Sequence, residues 1–206
     1  YQEPSGSPYG EPFIGAIDEV AVWNKSLTAD KIAEHAGMKV LDYSGFGNNG
    51  SRNFNITPDF GRNFTEGKFG KGLIFDGVDD YVNISDNPSI SPTSGITVAA
   101  WLKYGSPTGL RRIVHKENAA PSAYSLYSSS DGSGAIDFAL NGVGFATTVT
   151  NVWGTSWHYI VGTYDKTNVK IYVDGVLENS NPYTPDINTN IGPLTIGGTS
   201  SGTQVT

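Results

Sequence analysis

The most constraining feature of this sequence is a pair of alternating apolar segments separated by a short turn. Residues 157–164 (WHYIVGTY) and 169–173 (VKIYV) place apolar side chains at every second position. A period of two is typical of a strand with one buried face. The Asp174-Gly175 dipeptide that follows is a strong hairpin signal. The segment therefore predicts consecutive antiparallel strands.

The same design recurs elsewhere in the chain. Residues 135–140 place Ile136, Phe138 and Leu140 on one face, and Asn141-Gly142 then turns the chain into a return strand over 143–149. Further strands are predicted at residues 95–104, 72–75, 81–84, 194–196 and 13–23. The total is about ten to twelve short strands at regular spacing, which favours a β-sandwich over any α/β fold.

Composition agrees with many tight turns and one packed domain. Glycine accounts for 26 of 206 residues, well above the usual share of about 7%. The aromatic residues suffice for a core, which excludes a disordered chain. No apolar window is long enough to span a membrane. One helix is predicted over residues 28–36, with Thr28 as N-cap and Gly37 as its stop.

Charge and cysteine content exclude several functional classes. The formal net charge is −7, which argues against a nucleic-acid partner because such proteins carry a basic stripe. The chain has no cysteine, which excludes disulfides, thiolate metal sites and a cysteine nucleophile. Since the chain begins with Tyr1 and its one methionine is Met38, we expect a processed chain or a piece of a longer one.

Several motifs together resemble laminin-G-like domains of the concanavalin A-like lectin/glucanase superfamily. The central signature of that family, a Trp-His strand followed by GTYD and Y-V-D-G-V, resembles residues 157–176. The other matching segments are 42–50 (DYSGFGNNG), 72–82 (GLIFDGVDDYV), 96–103 (ITVAAWLK), 194–198 (LTIGG) and 13–36. The resemblance implies an all-β fold, a two-sheet antiparallel β-sandwich of the jelly-roll type, with one short helix.

The order of these motifs departs from the family. Residues 13–36 resemble the closing strand and helix of the family, yet here they come first. Three explanations remain open: a circular permutation, a repeat array cut within a loop, and donation of this strand to a neighbouring molecule. We expect a loop or inter-subunit arm at 1–12, one sandwich domain over 13–199 and a loop or linker at 200–206.

No catalytic constellation is present in the sequence. Glucanases of this superfamily carry a Glu-x-Asp-x-x-Glu strand, in which two carboxylates act about 5 Å apart. None of the seven glutamates has that spacing, and the three histidines have no serine elbow near them. We therefore predict that the protein is not an enzyme.

The resemblance implies a structural calcium ion. Its ligands would be Asp18 in the closing strand, the carbonyl of Gly77 after the F-D-G strand, and Asp42 near the opening strand. Calcium prefers several oxygen ligands, and Asp- and Gly-rich turns supply them. The alternative is that Asp18 and Asp76 accept hydrogen bonds from backbone amides, while Asp79 and Asp80 only form turns.

The sequence suggests glycans both as ligands and as covalent modifications. Many relatives bind sugars, and the loop aromatics that could do so here are Tyr104, Tyr124, Tyr127, Trp153 and Tyr183. Trp23, Trp101 and Trp157 instead lie within strand patterns and are predicted to be core or sheet-face residues. Acceptor sequons for N-linked glycosylation, relevant only in a secreted protein, occur at Asn24, Asn49, Asn55, Asn63 and Asn83.

Two functions follow as expectations. The leading one is an extracellular or cell-surface structural domain, a unit of a filament, stalk or giant adhesin whose partners are copies of itself, joined through the N-terminal strand segment. A strand missing from one sandwich leaves an edge that a neighbour covers. The alternative is a carbohydrate-binding, lectin-like module, free or attached to a glycoside hydrolase.

Overall fold

The structure is a computed structural model. It describes residues 26, 39–53, 64–75, 77, 80–103, 105, 110–116, 122–129, 131, 133–152 and 154–199. Within these residues the chain forms fourteen strands and one short 3-10 turn at Pro88–Ile90. The helix predicted over 28–36 and the strand predicted over 13–23 lie outside the described residues.

Two antiparallel sheets form the sandwich. The larger sheet has eight strands in the order β1-β2-β5-β14-β7-β8-β9-β10. Their bounds are β1 Lys39–Val40, β2 Gly50–Asn53, β5 Tyr81–Ile84, β7 Arg112–Lys116, β8 Tyr124–Ser128, β9 Ile136–Leu140, β10 Gly144–Thr147 and β14 Leu194–Ile196. The antiparallel sandwich predicted from the sequence is therefore confirmed.

The smaller sheet has four strands in the order β13-β12-β11-β6, and a separate hairpin pairs β3 with β4. The bounds are β3 Phe64–Glu66, β4 Lys71–Leu73, β6 Ile96–Leu102, β11 His158–Tyr164, β12 Asn168–Val173 and β13 Val176–Pro182. The predicted hairpin of β11 and β12 is confirmed, with Gly162 opposite Ile171.

The core lies between the two sheets and follows the predicted alternation. Ile136, Phe138 and Leu140 of β9 are fully buried, as are Ile160 of β11 and Ile171 of β12. A Cβ atom on Gly162 would lie 2.2 Å from the Phe138 ring. Because no side chain fits there, the two sheets approach closely at this point.

The predicted turns have the backbone conformations that hairpins need. Asn141 and Gly142 have φ of 54° and 71°, and Asp174 and Gly175 have φ of 50° and 86°. Positive φ at both central residues characterises the type I′ turn, whose twist matches that of the flanking strands. These two dipeptides therefore fix the register of β9 with β10 and of β12 with β13.

The edge of the larger sheet at β10 is capped by side chains of β13. Asn181 Nδ2 donates to the Phe145 carbonyl at 2.8 Å, and Asn179 Nδ2 donates to the Thr147 carbonyl at 3.2 Å. Glu178 accepts from the amides of Val149 and Thr150. Such contacts satisfy backbone groups that an edge strand otherwise leaves open, and they join the two sheets along this side.

Candidate functional site

The outer side of the eight-stranded sheet, which faces away from the core, carries polar side chains. One row crosses the sheet at Asn83, Thr195, His115 and Ser125. A second row continues from Arg112 to Tyr127, Asp137 and Thr147. We call these eight residues the polar face.

Half of the polar face is buried, although it lies outside the core. The exposed fraction is 0% for Thr195, 1% for Ser125, and 8% for both His115 and Asp137. The outer side of an antiparallel sheet is commonly solvated and polar. We call these four buried residues the floor of the polar face. We call its half-buried residues the rim: Asn83, Arg112, Tyr127 and Thr147.

Hydrogen bonds hold the floor together. The Thr195 hydroxyl lies 2.7 Å from the Gly198 carbonyl and 3.3 Å from the His115 carbonyl. The Ser125 hydroxyl lies 3.2 Å from His115 Nδ1 and 3.4 Å from the Val114 carbonyl. Buried polar groups are stable only when such partners are present.

The floor fixes the position of the rim. Arg112 Nη1 donates to the Ser125 hydroxyl at 3.2 Å, and the guanidinium lies 5.1 Å from the centre of the Tyr127 ring. Burial raises the pKa of Tyr127, so the phenol stays protonated over a wider pH range. A guanidinium held by stacking and a hydrogen bond loses little entropy when it binds a ligand.

Asp137 supplies the one carboxylate among the eight residues of the polar face. It accepts a hydrogen bond from the Thr147 hydroxyl. Burial raises the pKa of Asp137, and the Thr147 hydrogen bond opposes that shift. The polar face therefore combines a cation, an anion, hydroxyl groups and an aromatic ring.

Asn83 has an unused acceptor on this face. Its Oδ1 atom is buried and receives no hydrogen bond in the part of the chain that the structure describes. Leaving a buried acceptor unsatisfied is unfavourable by about 1–3 kcal/mol.

The segment after β4 contacts residues at the end of β14 and just before β7. A Cβ atom on Gly197 would lie 2.2 Å from the Phe75 ring, so Phe75 packs directly on the backbone of Gly197. Arg111 Nη1 donates to the Gly77 carbonyl at 3.0 Å. The F-D-G motif of the sequence is thereby attached to β7 and to the end of β14.

Two of the three predicted calcium ligands, Asp42 and the Gly77 carbonyl, lie among the described residues. Asp42 accepts from the amides of Ser44 at 2.8 Å and Asn48 at 2.9 Å, and hydrogen bonds from Ser44 lower its pKa. The Gly77 carbonyl lies against the Arg111 guanidinium, which would repel a second cation. Among the described residues no three carboxylate or imidazole groups are clustered for a metal ion. Asp18 lies outside the described residues, so the three-ligand set stays a prediction, which a melting temperature measured with and without a chelator would test.

The structure describes two of the five predicted glycosylation sequons. Asn49 lies in an exposed turn, where its Oδ1 accepts from the Asp42 amide at 2.9 Å. Asn83 lies in β5 and is half-buried on the polar face. An acceptor asparagine needs an exposed loop, so Asn49 is the better acceptor of the two. Asn24, Asn55 and Asn63 lie outside the described residues, and occupancy of all five stays a prediction.

The interpretation of Tyr124 and Tyr127 as loop aromatics is wrong. Both lie in β8, where Tyr124 is 4% exposed and donates its hydroxyl to the Ile90 carbonyl at 2.8 Å. Tyr183 follows β13, but it packs against the core and accepts a hydrogen bond from Asn141 Nδ2 at 2.9 Å. Tyr104 and Trp153 lie outside the described residues. Sequence reasoning missed β8 because two of its five residues, Ser125 and Ser128, are serines, which are typical of loops.

The important residues of the polar face were also missed. Arg112 and His115 lie in β7, whose apolar residues Ile113 and Val114 do not alternate. A register shift between Arg112 and Val114 explains this, because a bulge places two successive side chains on the core side. A strand could have been predicted here from Ile113 and Val114, two β-branched residues that lie between Arg112 and His115.

Comparisons with known proteins agree with this fold. A domain of similar structure is domain 4 of AbnA, an extracellular arabinanase of glycoside hydrolase family 43 from Geobacillus stearothermophilus, solved in complex with arabinotriose. Its TM-score is 0.61 at 18% identity, covering 80% of each chain. No curated protein sequence matches the chain.

Two botulinum neurotoxin structures are also similar in fold. One is a structure of the type C neurotoxin, whose cell entry depends on interaction with two ganglioside molecules. It has a TM-score of 0.51 at 18% identity and covers 81% of this chain. The other, the receptor-binding domain of mosaic serotype C/D, has a TM-score of 0.56 at 12% identity and covers 76%. This chain spans 44% and 39% of their lengths.

The family is shown by a sequence model that matches more than half of the chain. The laminin G family model of the concanavalin A-like lectin/glucanases superfamily matches residues 76–206. This match includes the signature strands β11 and β12 and leaves the displaced motif at 13–36 untested. No helix among the described residues is long and apolar enough to cross a bilayer. The chain therefore belongs to the concanavalin A-like lectin/glucanases superfamily, as a laminin-G-like domain.

Proposed function

We propose that this protein is a non-catalytic, extracellular carbohydrate-binding module, and that the polar face binds a neutral saccharide. The observation that carries the proposal is the buried polar floor beneath a half-buried rim. A surface that serves only solubility has no need for side chains held by buried hydrogen bonds. Rigid support of ligand-contacting groups is typical of binding sites.

The chemistry of the rim favours a neutral sugar. Sugar hydroxyls both donate and accept hydrogen bonds. The half-buried Arg112 guanidinium can donate, and the half-buried Tyr127 hydroxyl can donate or accept. Tyr127 adds an aromatic surface that can contact the C–H groups of a sugar ring. Arg112 and Asp137 balance each other in charge, so the face favours neither cations nor anions.

A catalytic role has less support. Glycoside hydrolysis needs two carboxyl groups that flank one bond, and Asp137 is the one carboxylate among the eight residues of the polar face. The contact between His115 and Ser125 resembles a nucleophile and its base. However, Ser125 is 1% exposed and its hydroxyl is also hydrogen-bonded to Arg112, so a substrate has no access to it.

The comparisons support the same class of function. Domain 4 of the arabinanase was solved with arabinotriose, and cell entry of the type C neurotoxin depends on two ganglioside molecules. At these identities the likeness concerns the fold alone, so the sugar and its position come from the polar face. The extracellular location is proposed on the same basis, since the arabinanase is extracellular.

Calorimetric titration against a panel of neutral oligosaccharides, arabinotriose included, tests the proposal. We expect at least one to bind, and we expect Arg112→Ala and Tyr127→Ala each to weaken it about tenfold or more. Lys71→Gln, an exposed change on the β3–β4 hairpin, is the matched control and should bind normally. Failure of the whole panel to bind, or equal loss in the control, would contradict the proposal.

A second candidate function rests on the motif order. We also propose that this domain is a repeat or filament subunit, joined to copies of itself through residues 13–36. Two observations support it: these residues resemble the closing motif of the family but come first in the chain, and β6 pairs with β11 alone among the described strands. An edge strand is a template for another strand.

The test for this second role is the oligomeric state. If the strand is exchanged between molecules, the purified chain should form ordered polymers, and added peptide 13–36 should shorten them. A monodisperse monomer whose size is unchanged by the peptide would exclude exchange. Light scattering and electron microscopy measure both outcomes, and neither depends on sugar binding.

A further inference from the structure

The outer side of the four-stranded sheet carries a group of aromatic and lysine side chains that the polar face does not include. Trp101 lies opposite Tyr159 in the register of β6 and β11, with ring centroids 5.2 Å apart. Phe69 of the β3–β4 hairpin contacts Trp101 edge-on at 5.8 Å and is 76% exposed. Trp157 precedes β11 and lies beside Gly72 of the same hairpin. Together with Lys68 and Lys103, these residues form what we call the aromatic platform.

Two lysines lie over tryptophan rings. Lys68 Nζ lies 4.9 Å from the Trp101 ring centre, and Lys103 Nζ lies 5.4 Å from that of Trp157. Neither ammonium forms an ion pair with a described carboxylate. The other four lysines whose side chains the structure describes all do: Lys71 with Glu66, Lys116 with Asp86, Lys166 with Asp186 and Lys170 with Asp165.

These two charges are local exceptions in an acidic protein. The formal net charge is −7, and carboxylates neutralise the other described lysines. The hydrogen bond from the Tyr159 amide at 2.8 Å lowers the pKa of Asp174, whose carboxylate also lies 2.8 Å from His158 Nδ1, and the charge of Lys68 helps to lower it. Because Asp174 already has two partners, the ammonium groups of Lys68 and Lys103 remain available to an external anion.

We propose that the aromatic platform binds an acidic polysaccharide, one whose sugar rings carry carboxylate groups. Carboxylates would pair with Lys68 and Lys103. The exposed ring of Phe69 and the accessible parts of the half-buried Trp101 and Trp157 rings would contact the sugar faces. Stacking on tryptophan restricts each lysine before binding, which lowers the entropy lost when the ion pair forms. This site is separate from the polar face and selects a different class of glycan.

Affinity electrophoresis through gels containing polygalacturonate tests this proposal. At about 0.05 M salt, where surface charges are weakly screened, we expect the wild-type protein to be retarded. The double variant Lys68→Gln/Lys103→Gln should lose about tenfold or more in affinity. Lys71→Gln removes a charge from the same hairpin and is the matched control, so its retardation should match the wild type.

Three results would overturn the proposal: no retardation of the wild type, equal loss in Lys71→Gln, or retention by dextran sulfate without retention by polygalacturonate. The last would assign the platform to sulfate groups. Thermal melting of the double variant checks that the fold is intact, since both lysines lie on the surface. Titration with a neutral oligosaccharide keeps this result distinct from that of the polar face, because the double variant should bind it normally.

Discussion

The two outer faces of the sandwich arise from the same alternation of side chains along the strands, but they differ in burial and chemistry. On the polar face, Thr195, Ser125 and Asp137 are almost fully buried and hydrogen-bonded. On the aromatic platform, Trp101 and Tyr159 are half-buried and stack on each other, and Phe69 is 76% exposed. The difference indicates two kinds of ligand recognition. The polar face would use directional hydrogen bonds from side chains held in place, and the aromatic platform would use charge and contact with aromatic rings.

The largest effect is expected from breaking the core that both faces share. Phe138→Ala should lower the free energy of unfolding by about 3–5 kcal/mol, because it leaves a cavity between the sheets. Phe69→Ala changes the same residue type on the platform, where the ring is 76% exposed, and should cost less than about 0.5 kcal/mol. Urea denaturation measures both, and similar losses would contradict the assignment of these two rings.

Substituting one threonine on each face should distinguish the two faces by its effect on stability. Thr195→Val removes a buried hydroxyl close to the carbonyls of Gly198 and His115 and should destabilise the fold by about 1–3 kcal/mol. Thr97→Val, at an exposed position on the outer side of β6, should change stability by less than about 0.5 kcal/mol. If the two variants unfold at the same urea concentration, the polar floor is not a supporting structure.

Salt should distinguish binding at the two faces. Raising ionic strength from about 0.05 to about 0.5 M should weaken binding of polygalacturonate by tenfold or more, because exposed charges are screened. The affinity for a neutral oligosaccharide should change less than about twofold over this range, since hydrogen bonds to an uncharged ligand need no counter-ion. Titration calorimetry at several salt concentrations reports both, and equal salt dependence would remove the distinction.

The smallest effect concerns Asp137 and pH. Burial raises the pKa of this carboxyl above its ordinary value of 3.8, so the folded state takes up a proton more readily than the unfolded state. As pH falls through the raised pKa, the wild type should gain stability relative to Asp137→Asn, and the gain should level off below the unfolded pKa. Melting curves between pH 3 and pH 8, roughly the range in which carboxyl groups titrate, measure it. A wild type that instead loses stability relative to the variant on acidification would show that Asp137 is stabilised in its charged form.

The fold was largely predictable because its central strands obey simple local rules. The alternation in β6, β9, β11 and β12 and the Asn141-Gly142 and Asp174-Gly175 turns are visible in the residues themselves. Turn chemistry and side-chain period are local properties, so no knowledge of distant contacts is needed. The strand bounds agree to within two residues in each of these elements.

The polar face was not predictable, because it depends on pairing between strands far apart in the sequence. Asn83, His115 and Thr195 become neighbours only when β14 inserts between β5 and β7. Ser125 and Tyr127 lie in a serine-rich segment that resembles a loop. The platform was partly predictable, since Trp101 and Trp157 were predicted to be core or sheet-face residues. The position of Lys68, however, depends on how the β3–β4 hairpin packs.

The most direct test of the account is an amide chemical-shift titration of the labelled protein with a neutral oligosaccharide that binds it. Shifts concentrated at Asn83, Arg112, Tyr127 and Thr147, with little change at Lys68, Phe69 and Trp101, are the predicted result. They would show that the polar face is the saccharide site and that the platform is separate. Shifts confined to the platform, with an unchanged polar face, would contradict the central claim.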